Sequence, residues 1–283
     1  MGAIIDGKAI AKGIKEGIKR DVESFKKERG VPPKLSVILV GENAASLSYV
    51  RGKEKACAEA QIDSETLRFP ANIEEKRIIE EIKKLNENKS VHGILVQLPL
   101  PESVNQNNVL EAISIYKDVD GLHPYNMGKL FKNESPLFVP CTPQGIIELI
   151  LSTGAEIKGK KATVIGRSNL VGKPTSILLL YRHATVTICH TRTEDLAAEA
   201  RAADILVAAA GRPKTVTKDM VKPGAIVIDV GISRTEKGLI GDVDFEGARE
   251  IASHITPVPG GVGPMTVAML LKNTLKAAQM TME

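Results

Sequence analysis

Two separated groups of residues in this chain have side chains suited to chemistry. Tyr49 and Lys53 stand four positions apart, so a phenol and an amine share one face of a helix. The segment Gly166–Pro174 follows the apolar run Ala162–Ile165 and precedes a helical pattern. The N-terminus of a helix binds phosphate groups, because free backbone N–H groups and the helix dipole meet there. A lysine in one half and a dinucleotide turn in the other therefore predict a redox enzyme with two parts.

The turn after Ile165 meets only part of the usual dinucleotide fingerprint. Gly166 and Gly172 supply glycine where the backbone approaches a pyrophosphate, but serine occupies position 168. A plain glycine-containing turn between a strand and a helix is therefore an open alternative. In the functional interpretation, the cofactor lies against five residues of the turn, which are Gly166, Arg167, Ser168, Val171 and Gly172.

The residues after the next predicted strand indicate which nucleotide binds. NAD enzymes place an acidic residue about 20 residues after the turn, where it binds the ribose hydroxyl groups. This chain has neither Asp nor Glu there, and it continues from His190 with Thr191, Arg192 and Thr193. An arginine and hydroxyl groups suit a ribose phosphate, so the sequence favours NADP over NAD. His190 is either a phosphate contact or an ordinary packed or solvent-facing histidine.

The surroundings of Lys53 favour a chemical role over a solvated surface charge. Its helix follows the predicted strand Leu35–Val40, so the helix begins at the carboxyl edge of a sheet, where open α/β sheets bind ligands. Gln97 ends another predicted strand at that edge, as either an edge cap or a pocket group. A lysine beside an amide in a partly dry pocket has a lowered pKa, which suits acid–base work near neutral pH.

Two carboxylates follow in the segment Lys117–Gly121. Asp118 and Asp120 stand before a glycine, and Asp-Gly is a common turn pair. The functional alternative is a carboxylate that binds the N–H groups of a substrate in a bidentate manner.

Strand and helix patterns alternate along the chain, which predicts parallel sheets covered by helices. The stretch from Lys117 to Pro143 is rich in Pro, Gly and Asn and is predicted to be a loop-rich hinge. A final helix is predicted from Met265 to about Gln279, with Pro264 in its first turn. A length of 283 residues favours two domains over a single core.

Composition excludes several classes of protein. A net charge of +4, an aromatic content of 3% and the absence of Trp argue against a nucleic-acid partner. No apolar run approaches the roughly 20 residues that span a bilayer, so no membrane partner is expected. The three cysteines are far apart, which predicts a reducing compartment and neither a metal site nor a disulfide framework. Charged residues from Asp6 onward do not fit a secretory signal, so a cytoplasmic enzyme is expected.

Five specific segments follow one another along the chain. They are Val40–Lys53, Gly93–Pro101, Lys117–Leu122, Gly166–Pro174 and Pro257–Thr266. In this order they resemble one known family, the bifunctional methylenetetrahydrofolate dehydrogenase/methenyltetrahydrofolate cyclohydrolases. The resemblance extends from near Asp6 to near the C-terminus, and the Gln-Leu-Pro-Leu-Pro string and the last segment are its most specific parts.

The resemblance implies two reactions at one folate site. NADP takes a hydride from methylene-tetrahydrofolate, and water then converts the methenyl cation to formyl-tetrahydrofolate. By the family pattern, Lys53 is the acid–base group of the hydrolytic step and Gln97 tunes it. Tyr49 stacks on the aminobenzoate ring and orients the lysine, and Asp120 holds the pterin.

The resemblance also places the remaining site residues. Leu98, Pro99 and Gly261 line the folate pocket, and Ile232 meets the nicotinamide. Arg167, Ser168 and Thr191 contact the cofactor, with Arg192 placed on the ribose phosphate.

The fold expected from the resemblance has two α/β domains with the active-site cleft between them. A folate-binding catalytic domain takes residues 1–140 and 265–283, and a Rossmann-like NADP-binding domain takes residues 141–264. A homodimer through the Rossmann domain is expected. Two alternatives stay open, a dehydrogenase without cyclohydrolase activity and a non-catalytic nucleotide-binding sensor. Tyr49, Lys53 and Gln97 argue against both.

Overall fold

The computed structural model describes residues 1–236 and 238–280, so the last three residues of the predicted range 265–283 lie outside the described residues. Within the described residues the chain forms eleven β-strands. They are β1 Ala3–Ile4, β2 Lys34–Val40, β3 Asp63–Phe69, β4 Gly93–Val96, β5 Lys161–Ile165, β6 Thr185–Cys189, β7 Ile205–Ala208, β8 Ile226–Asp229, β9 Ser233–Thr235, β10 Gly238–Ile240 and β11 His254–Ile255.

Ten α-helices and the short 3-10 helix Lys218–Met220 complete the described structure. The α-helices are α1 Gly7–Arg29, α2 Ala44–Glu59, α3 Glu75–Glu87, α4 Gln106–Glu111, α5 Pro124–Phe131, α6 Cys141–Leu151, α7 Gly172–Tyr181, α8 Leu196–Arg201, α9 Phe245–Ile251 and α10 Val262–Met280.

The chain divides into two compact units, each built on one main sheet. The three-stranded unit comprises Gly13–Cys141 and the chain from Val267 onward. The six-stranded unit comprises Met1–Lys12 and Thr142–Thr266. Both main sheets are parallel throughout, as the alternation of strand and helix patterns predicts.

The three-stranded unit has the strand order β3-β2-β4. Its central strand, β2, reads as a continuous apolar run because both of its faces are covered, and residues 35–40 are all buried. Helix α3 is amphipathic and buries Ile78, Ile82 and Leu85 on one side. These side chains join β2 and β4 in a single hydrophobic core. That core holds the carboxyl ends of β2 and β4 in a fixed relation.

The six-stranded unit has the strand order β1-β11-β8-β7-β5-β6. The short runs of β5, β7 and β8 are almost wholly buried and pack with helices α8 and α9. Strand order reverses between β5 and β7, with β6 on one side and β8 on the other, which creates a topological switch point. Ligands of open α/β sheets bind outside the carboxyl ends of the strands at such a point.

The structure differs from the sequence prediction at the start of the chain. The prediction gave residues 1–140 to the first domain, whereas β1 pairs with β11, so that Ala3 lies opposite His254. A two-residue strand has too little periodicity to be recognised in a sequence, and this pairing joins residues about 250 positions apart.

The predicted hinge and the predicted last helix also need correction. The stretch 117–143 is not all loop, because α5 forms within it, capped by His123 and with Pro124 at its first position, where proline is favoured. The last helix begins at Val262 rather than Met265. Gly263 and Pro264 therefore lie in its first turn, where the missing N–H of proline is tolerated.

Among residues 1–236 and 238–280, no helix combines the length and the apolar composition needed to cross a bilayer. No cluster of three or more His, Cys, Asp or Glu side chains in the same part of the chain is arranged to bind a metal.

Candidate active site

Helix α2 places Lys53 beside the buried core of the three-stranded unit. The helix begins where Asn43 Oδ1 accepts hydrogen bonds from the backbone N–H groups of Ala45 at 2.9 Å and Ser46 at 3.2 Å. Ser46, Val50 and Cys57 form its buried stripe, and helical spacing places Lys53 on the same side. Lys53 is thus half-buried rather than a freely solvated surface lysine.

Gln97, which follows the end of β4, is the hydrogen-bond partner of Lys53. Lys53 Nζ donates a hydrogen bond to Gln97 Oε1 at 2.9 Å. Gln97 Nε2 donates to the carbonyl oxygen of Leu98 at 2.7 Å. Because the amide N–H₂ is engaged by Leu98, the amide oxygen is held toward the lysine. Gln97 is a buried group that orients Lys53.

Burial and the nearby Asp120 have opposite effects on Lys53. Loss of hydration lowers the pKa of Lys53 below its ordinary value, and the negative charge of Asp120 partly opposes that change. Burial raises the pKa of Asp120, and the charge of Lys53 opposes it. The two groups therefore influence each other's pKa. The pKa of Lys53 lies closer to neutral pH than that of a solvated lysine.

The chain around Asp120 is tightly packed. Gly121 has φ +73°, and a Cβ there would stand 2.7 Å from the backbone nitrogen of Pro140. Only glycine fits this conformation and this close approach. Cys141, which follows Pro140, places its thiol against the Asp120 carboxyl group and the Val119 carbonyl oxygen, the latter at 3.3 Å. Neither its spacing nor the pattern around it indicated that Cys141 would contact a site residue.

Asp118 differs from Asp120 because neighbouring donors occupy its carboxylate. It accepts hydrogen bonds from the backbone N–H groups of Leu122 and His123 and from Asn126 Nδ2, at 3.1, 2.9 and 2.7 Å. It is buried, and burial raises its pKa to about 7 against the opposing effect of these hydrogen bonds. Asp118 therefore organises the start of α5, and Asp120 is the carboxylate of this pair that lies next to Lys53.

Tyr49, Leu98 and Pro99 complete the predicted residues of the three-stranded unit. Tyr49 lies one turn before Lys53 on α2 and leaves 41% of its surface exposed, enough for one ring face to receive a ligand. Burial of the rest of the ring raises the pKa of its phenol. Leu98 and Pro99 follow Gln97 directly and are joined by a cis peptide bond.

The dinucleotide turn lies in the six-stranded unit between β5 and α7. Gly166 has φ +124°, and a Cβ there would overlap the carbonyl oxygen of Ala209. A Cβ on Gly172 would in turn overlap the carbonyl oxygen of Gly166. Ser168 Oγ accepts hydrogen bonds from the N–H groups of Val171 at 3.2 Å and Gly172 at 3.4 Å. Both glycines are thus required for a tight turn onto the start of α7.

The residues after β6 stand beside this turn, because Cys189 pairs with Ile165. Thr191 and Arg192 are exposed there, as is Arg167 in the turn itself. His190 Nδ1 accepts a hydrogen bond from the backbone N–H of Arg192 at 3.1 Å, so this ring nitrogen is not free to bind a phosphate. A helix N-terminus with two exposed arginines and a threonine hydroxyl nearby suits a dinucleotide that carries an additional phosphate.

The other two predicted residues also lie in the six-stranded unit. Ile232 follows β8 and is 42% exposed. Gly261 precedes α10, and a Cβ there would stand 2.7 Å from both the carbonyl oxygen of Pro257 and Cβ of Thr256. The structure thus brings Lys53, Gln97 and Asp120 together in one unit, and places the dinucleotide turn, Ile232 and Gly261 in the other.

A Rossmann-type parallel sheet and a second α/β unit with a half-buried lysine bonded to a buried amide define a two-domain NAD(P)-binding enzyme. Two family models match the chain: the tetrahydrofolate dehydrogenase/cyclohydrolase catalytic domain over residues 5–120 and the NAD(P)-binding domain over residues 140–282. The chain belongs to the tetrahydrofolate dehydrogenase/cyclohydrolase family.

Relatives of known name are similar along their whole length. The bifunctional protein FolD of Halothermothrix orenii is 56% identical over 278 residues, which cover 98% of each chain. The crystal structure of the bifunctional FolD enzyme of Campylobacter jejuni has a TM-score of 0.95 at 48% identity, with 99% of each chain covered. That of Trypanosoma brucei, complexed with NADP cofactor and inhibitor, has a TM-score of 0.95 at 41% identity, with 99% of this chain and 98% of that chain covered.

These findings confirm the predicted family, fold class and function. The protein is an enzyme of one-carbon metabolism that oxidises methylene-tetrahydrofolate to methenyl-tetrahydrofolate and hydrolyses the product to formyl-tetrahydrofolate. The alternatives of a dehydrogenase without cyclohydrolase activity and of a non-catalytic sensor lose their support.

Proposed function

We propose that the enzyme divides its two reactions between different kinds of group. Lys53, oriented by Gln97 and influenced by Asp120, carries out the proton transfers of hydrolysis. The dinucleotide turn and the loops around it position NADP for the oxidation. The observation that supports this division is the hydrogen bond of 2.9 Å from Lys53 Nζ to the buried Gln97 Oε1, which holds a lysine of lowered pKa in one orientation.

The oxidation step needs positioning rather than a proton shuttle. NADP, when bound, accepts the hydride and its electron pair from the methylene bridge, which leaves a methenyl cation on the folate. Tyr49 stacks on the aminobenzoate ring, and Asp120 accepts hydrogen bonds from the pterin N–H groups. Leu98, Pro99 and Gly261 line the folate pocket, and Ile232 contacts the nicotinamide. These residues act by holding two rings face to face, which converts an encounter into an intramolecular step.

The hydrolysis step needs a base and then an acid. Water attacks the methenyl carbon while Lys53, in its neutral form, takes a proton from that water. The carbon–nitrogen bond to the ring nitrogen then breaks as the added hydroxyl becomes the formyl carbonyl and loses its proton to solvent, and the protonated lysine returns a proton to the leaving nitrogen. One proton is released overall, since a cation and water give a neutral formyl product. A lysine with an ordinary pKa would be almost wholly protonated near neutral pH, so the lowered pKa is what makes it a base.

The chain binds NADP in preference to NAD because an arginine side chain occupies the region after β6 where NAD enzymes place an acidic residue for the ribose hydroxyl groups. Arg192 and Thr191 bind the ribose phosphate, and Arg167 joins them from the turn. The guanidinium groups are exposed and are therefore free to form bidentate contacts with phosphate.

One assay tests this function. The enzyme is supplied with methylene-tetrahydrofolate and either NADP or NAD, and reduced cofactor and methenyl-tetrahydrofolate are followed separately. Reduced cofactor from NADP with little accumulation of the methenyl species is the expected result. Turnover with NAD alone would contradict the arginine argument, and accumulation of the methenyl species would contradict the role of the lysine.

The assembly proposed for the enzyme is a homodimer through strand β6. This strand is an open edge of the six-stranded sheet, and Ile188 on it and Leu180 on α7 are 41% and 49% exposed. A second copy would cover this edge and remove the exposed apolar surface. Light scattering should report a dimer for the wild type and a monomer for Ile188→Asp. Leu151→Asp, an exposed leucine of the same unit, is the control and should stay dimeric.

A cytoplasmic location accompanies this function. Cys57, Cys141 and Cys189 are buried free thiols, which is the state that a reducing compartment maintains.

A further inference from the structure

Two buried carboxylates of the six-stranded unit have no role in the reactions described above. Asp229 ends β8, and Asp242 follows β10; they are 2% and 0% exposed. Among residues 1–236 and 238–280, no lysine or arginine forms an ion pair with either of them. Burial raises the pKa of both, that of Asp229 to about 6. Burying two neighbouring carboxylates costs folding free energy, so the position of this pair needs a structural explanation.

Asp242 holds the loop that follows β7. Its Oδ2 accepts hydrogen bonds from the backbone N–H groups of Ala210 at 2.6 Å and Gly211 at 2.8 Å. The backbone N–H of Arg212 also interacts with this carboxylate. The backbone N–H groups of three successive residues, Ala210 to Arg212, thus interact with one carboxylate. Its Oδ1 is buried and has no hydrogen-bond partner in the part of the chain that the structure describes.

Asp229 holds the loop after β8 and also binds the backbone of Asp242 directly. Asp229 Oδ1 accepts hydrogen bonds from the N–H groups of Gly231 at 3.0 Å and Asp242 at 2.8 Å, and Oδ2 accepts one from Val243 at 3.0 Å. A Cβ on Gly231 would overlap the Asp242 carboxylate. The two acids are therefore linked, and they join the loops after β7 and β8 to each other.

These loops lead directly to the residues proposed to bind the cofactor and the folate. Ala209, next to the loop held by Asp242, packs its carbonyl oxygen against Gly166 of the dinucleotide turn. Ile232 follows Gly231. The backbone N–H of Asp229 donates to Thr256 Oγ1 at 2.7 Å, and Gly261 packs against Thr256. One buried acidic pair thus connects three of the ligand-binding segments of this unit, those of Gly166, Ile232 and Gly261.

We infer that Asp242 and Asp229 are positioning residues of the dehydrogenase reaction, which hold the loops after β7 and β8 against the dinucleotide turn so that NADP binds without reordering them. The inference rests on the proposed roles of Gly166, Ile232 and Gly261. Neither acid contacts the reacting atoms. Fixing these loops in advance lowers the entropic cost of binding, and the cost of burying the acids is offset by their backbone hydrogen bonds.

The test compares NADP binding by wild type, Asp242→Ala and Asp242→Asn, measured as dissociation constants by fluorescence titration without turnover. Losing hydrogen bonds to a charged acceptor predicts about tenfold weaker binding or more for Asp242→Ala. Asp242→Asn keeps one acceptor oxygen for the Ala210 and Gly211 N–H groups, so it should restore most of the affinity. A neutral amide oxygen is nevertheless a weaker acceptor than a carboxylate, so Asp242→Asn should still bind NADP measurably more weakly than wild type. Equally tight binding by Asp242→Asn would overturn the positioning role if the alanine variant does not fold.

The matched control is Asp204→Asn, at the amino end of strand β7 in the same sheet. Asp204 also accepts a backbone hydrogen bond, from Lys161 at 2.9 Å, but it directly precedes β7, whereas the ligand-binding loops follow the carboxyl ends of the strands. Its variant should bind NADP as wild type does. Cyclohydrolase activity on supplied methenyl-tetrahydrofolate should keep its kcat in the Asp242 variants, because Lys53 lies in the other unit.

The outcomes separate this inference from the proposed function. Wild-type enzyme that does not bind NADP would overturn the proposed function itself. Wild-type binding with equally tight binding by folded Asp242→Ala would overturn the positioning role alone. Equal weakening in Asp204→Asn would also overturn it, because the effect would then reflect general destabilisation.

Discussion

The two units of this enzyme prepare for chemistry in different ways. The three-stranded unit works with side chains whose protonation is altered: Lys53, Asp120 and Cys141 are packed together, and each has a shifted pKa. The six-stranded unit works with backbone, through glycines that permit tight turns and N–H groups at the start of α7. Its predicted cofactor contacts, Arg167 and Arg192, are exposed and ready to bind an anion.

This difference follows from what each reaction requires. Hydrolysis moves protons, so it needs a group whose pKa lies closer to neutral pH, and burial beside an amide supplies one. Hydride transfer needs two rings in fixed relation, and rigid backbone supplies that. Substitutions in the two units should therefore affect different reactions, and the following predictions test that separation.

The largest effect is expected from Lys53→Met. Removing the acid–base group should lower the rate of hydrolysis of supplied methenyl-tetrahydrofolate by about 10²–10⁴-fold. Methionine keeps the length and apolar stem of the side chain, so the fold should be retained. Lys55→Met, at a lysine of the same helix with 80% of its side chain exposed, is the control and should hydrolyse at the wild-type rate. Wild-type hydrolysis by Lys53→Met would refute the assignment.

Gly166→Ala should be the most damaging change on the cofactor side. A methyl group there overlaps the Ala209 carbonyl oxygen and opposes the φ of +124°, so the turn must open. We expect KM for NADP to rise by at least about tenfold, in line with strain of 1–3 kcal/mol at such a position. Gly159→Ala, at φ +75° with no neighbour within 4 Å, controls for backbone strain alone. An equal rise in KM for both variants would argue against the close approach as the cause.

A smaller effect is expected from Arg192→Ala. Loss of one charge-assisted contact should weaken the binding of NADP by about tenfold and leave the binding of NAD unchanged, because only NADP carries the ribose phosphate. The measurement is the ratio of kcat/KM for the two nucleotides. Arg68→Ala removes an exposed arginine from the other unit and should leave that ratio unchanged. A parallel loss with both nucleotides would assign Arg192 to another part of the cofactor.

Asp120→Asn tests whether Lys53 is the base, because it should change the pH dependence of the hydrolysis rate. The charge of Asp120 raises the pKa of Lys53, so its removal lowers that pKa further. If neutral Lys53 is the base, kcat rises with pH through this pKa, and the rise should move to lower pH in the variant. Measuring kcat at saturating folate separates this effect from weaker pterin binding. A shift toward higher pH would show that Lys53 is not the titrating group.

The long elements of the fold could be predicted from local pattern. Strands β2 and β5 were recognised because each carries a run of enough apolar residues. The two-residue strands β1 and β11 were not, since their pairing depends on residues far apart in sequence. Helix α5 was missed because the many Pro, Gly and Asn residues around it favour a loop interpretation, and its cap depends on the orientation of His123.

The candidate site was predictable where residues share a helix face or a strand end. The sequence placed Lys53 and Gln97 at one sheet edge, and the structure joins them. It did not decide between Asp118 and Asp120, because the answer depends on Asn126 eight residues later. The pair Asp229 and Asp242 left no signal, since their partners are backbone N–H groups of Ala210, Gly211 and other loop positions that any residue type supplies.

The most direct test of the division between the units is the complete reaction of Lys53→Met with methylene-tetrahydrofolate and NADP. Reduced cofactor and methenyl-tetrahydrofolate are recorded in the same sample over time. The account predicts that both appear in equal amounts, because oxidation continues while hydrolysis has stopped. Loss of both signals in a variant that still binds folate would contradict it, since Lys53 would then be needed for the hydride transfer as well.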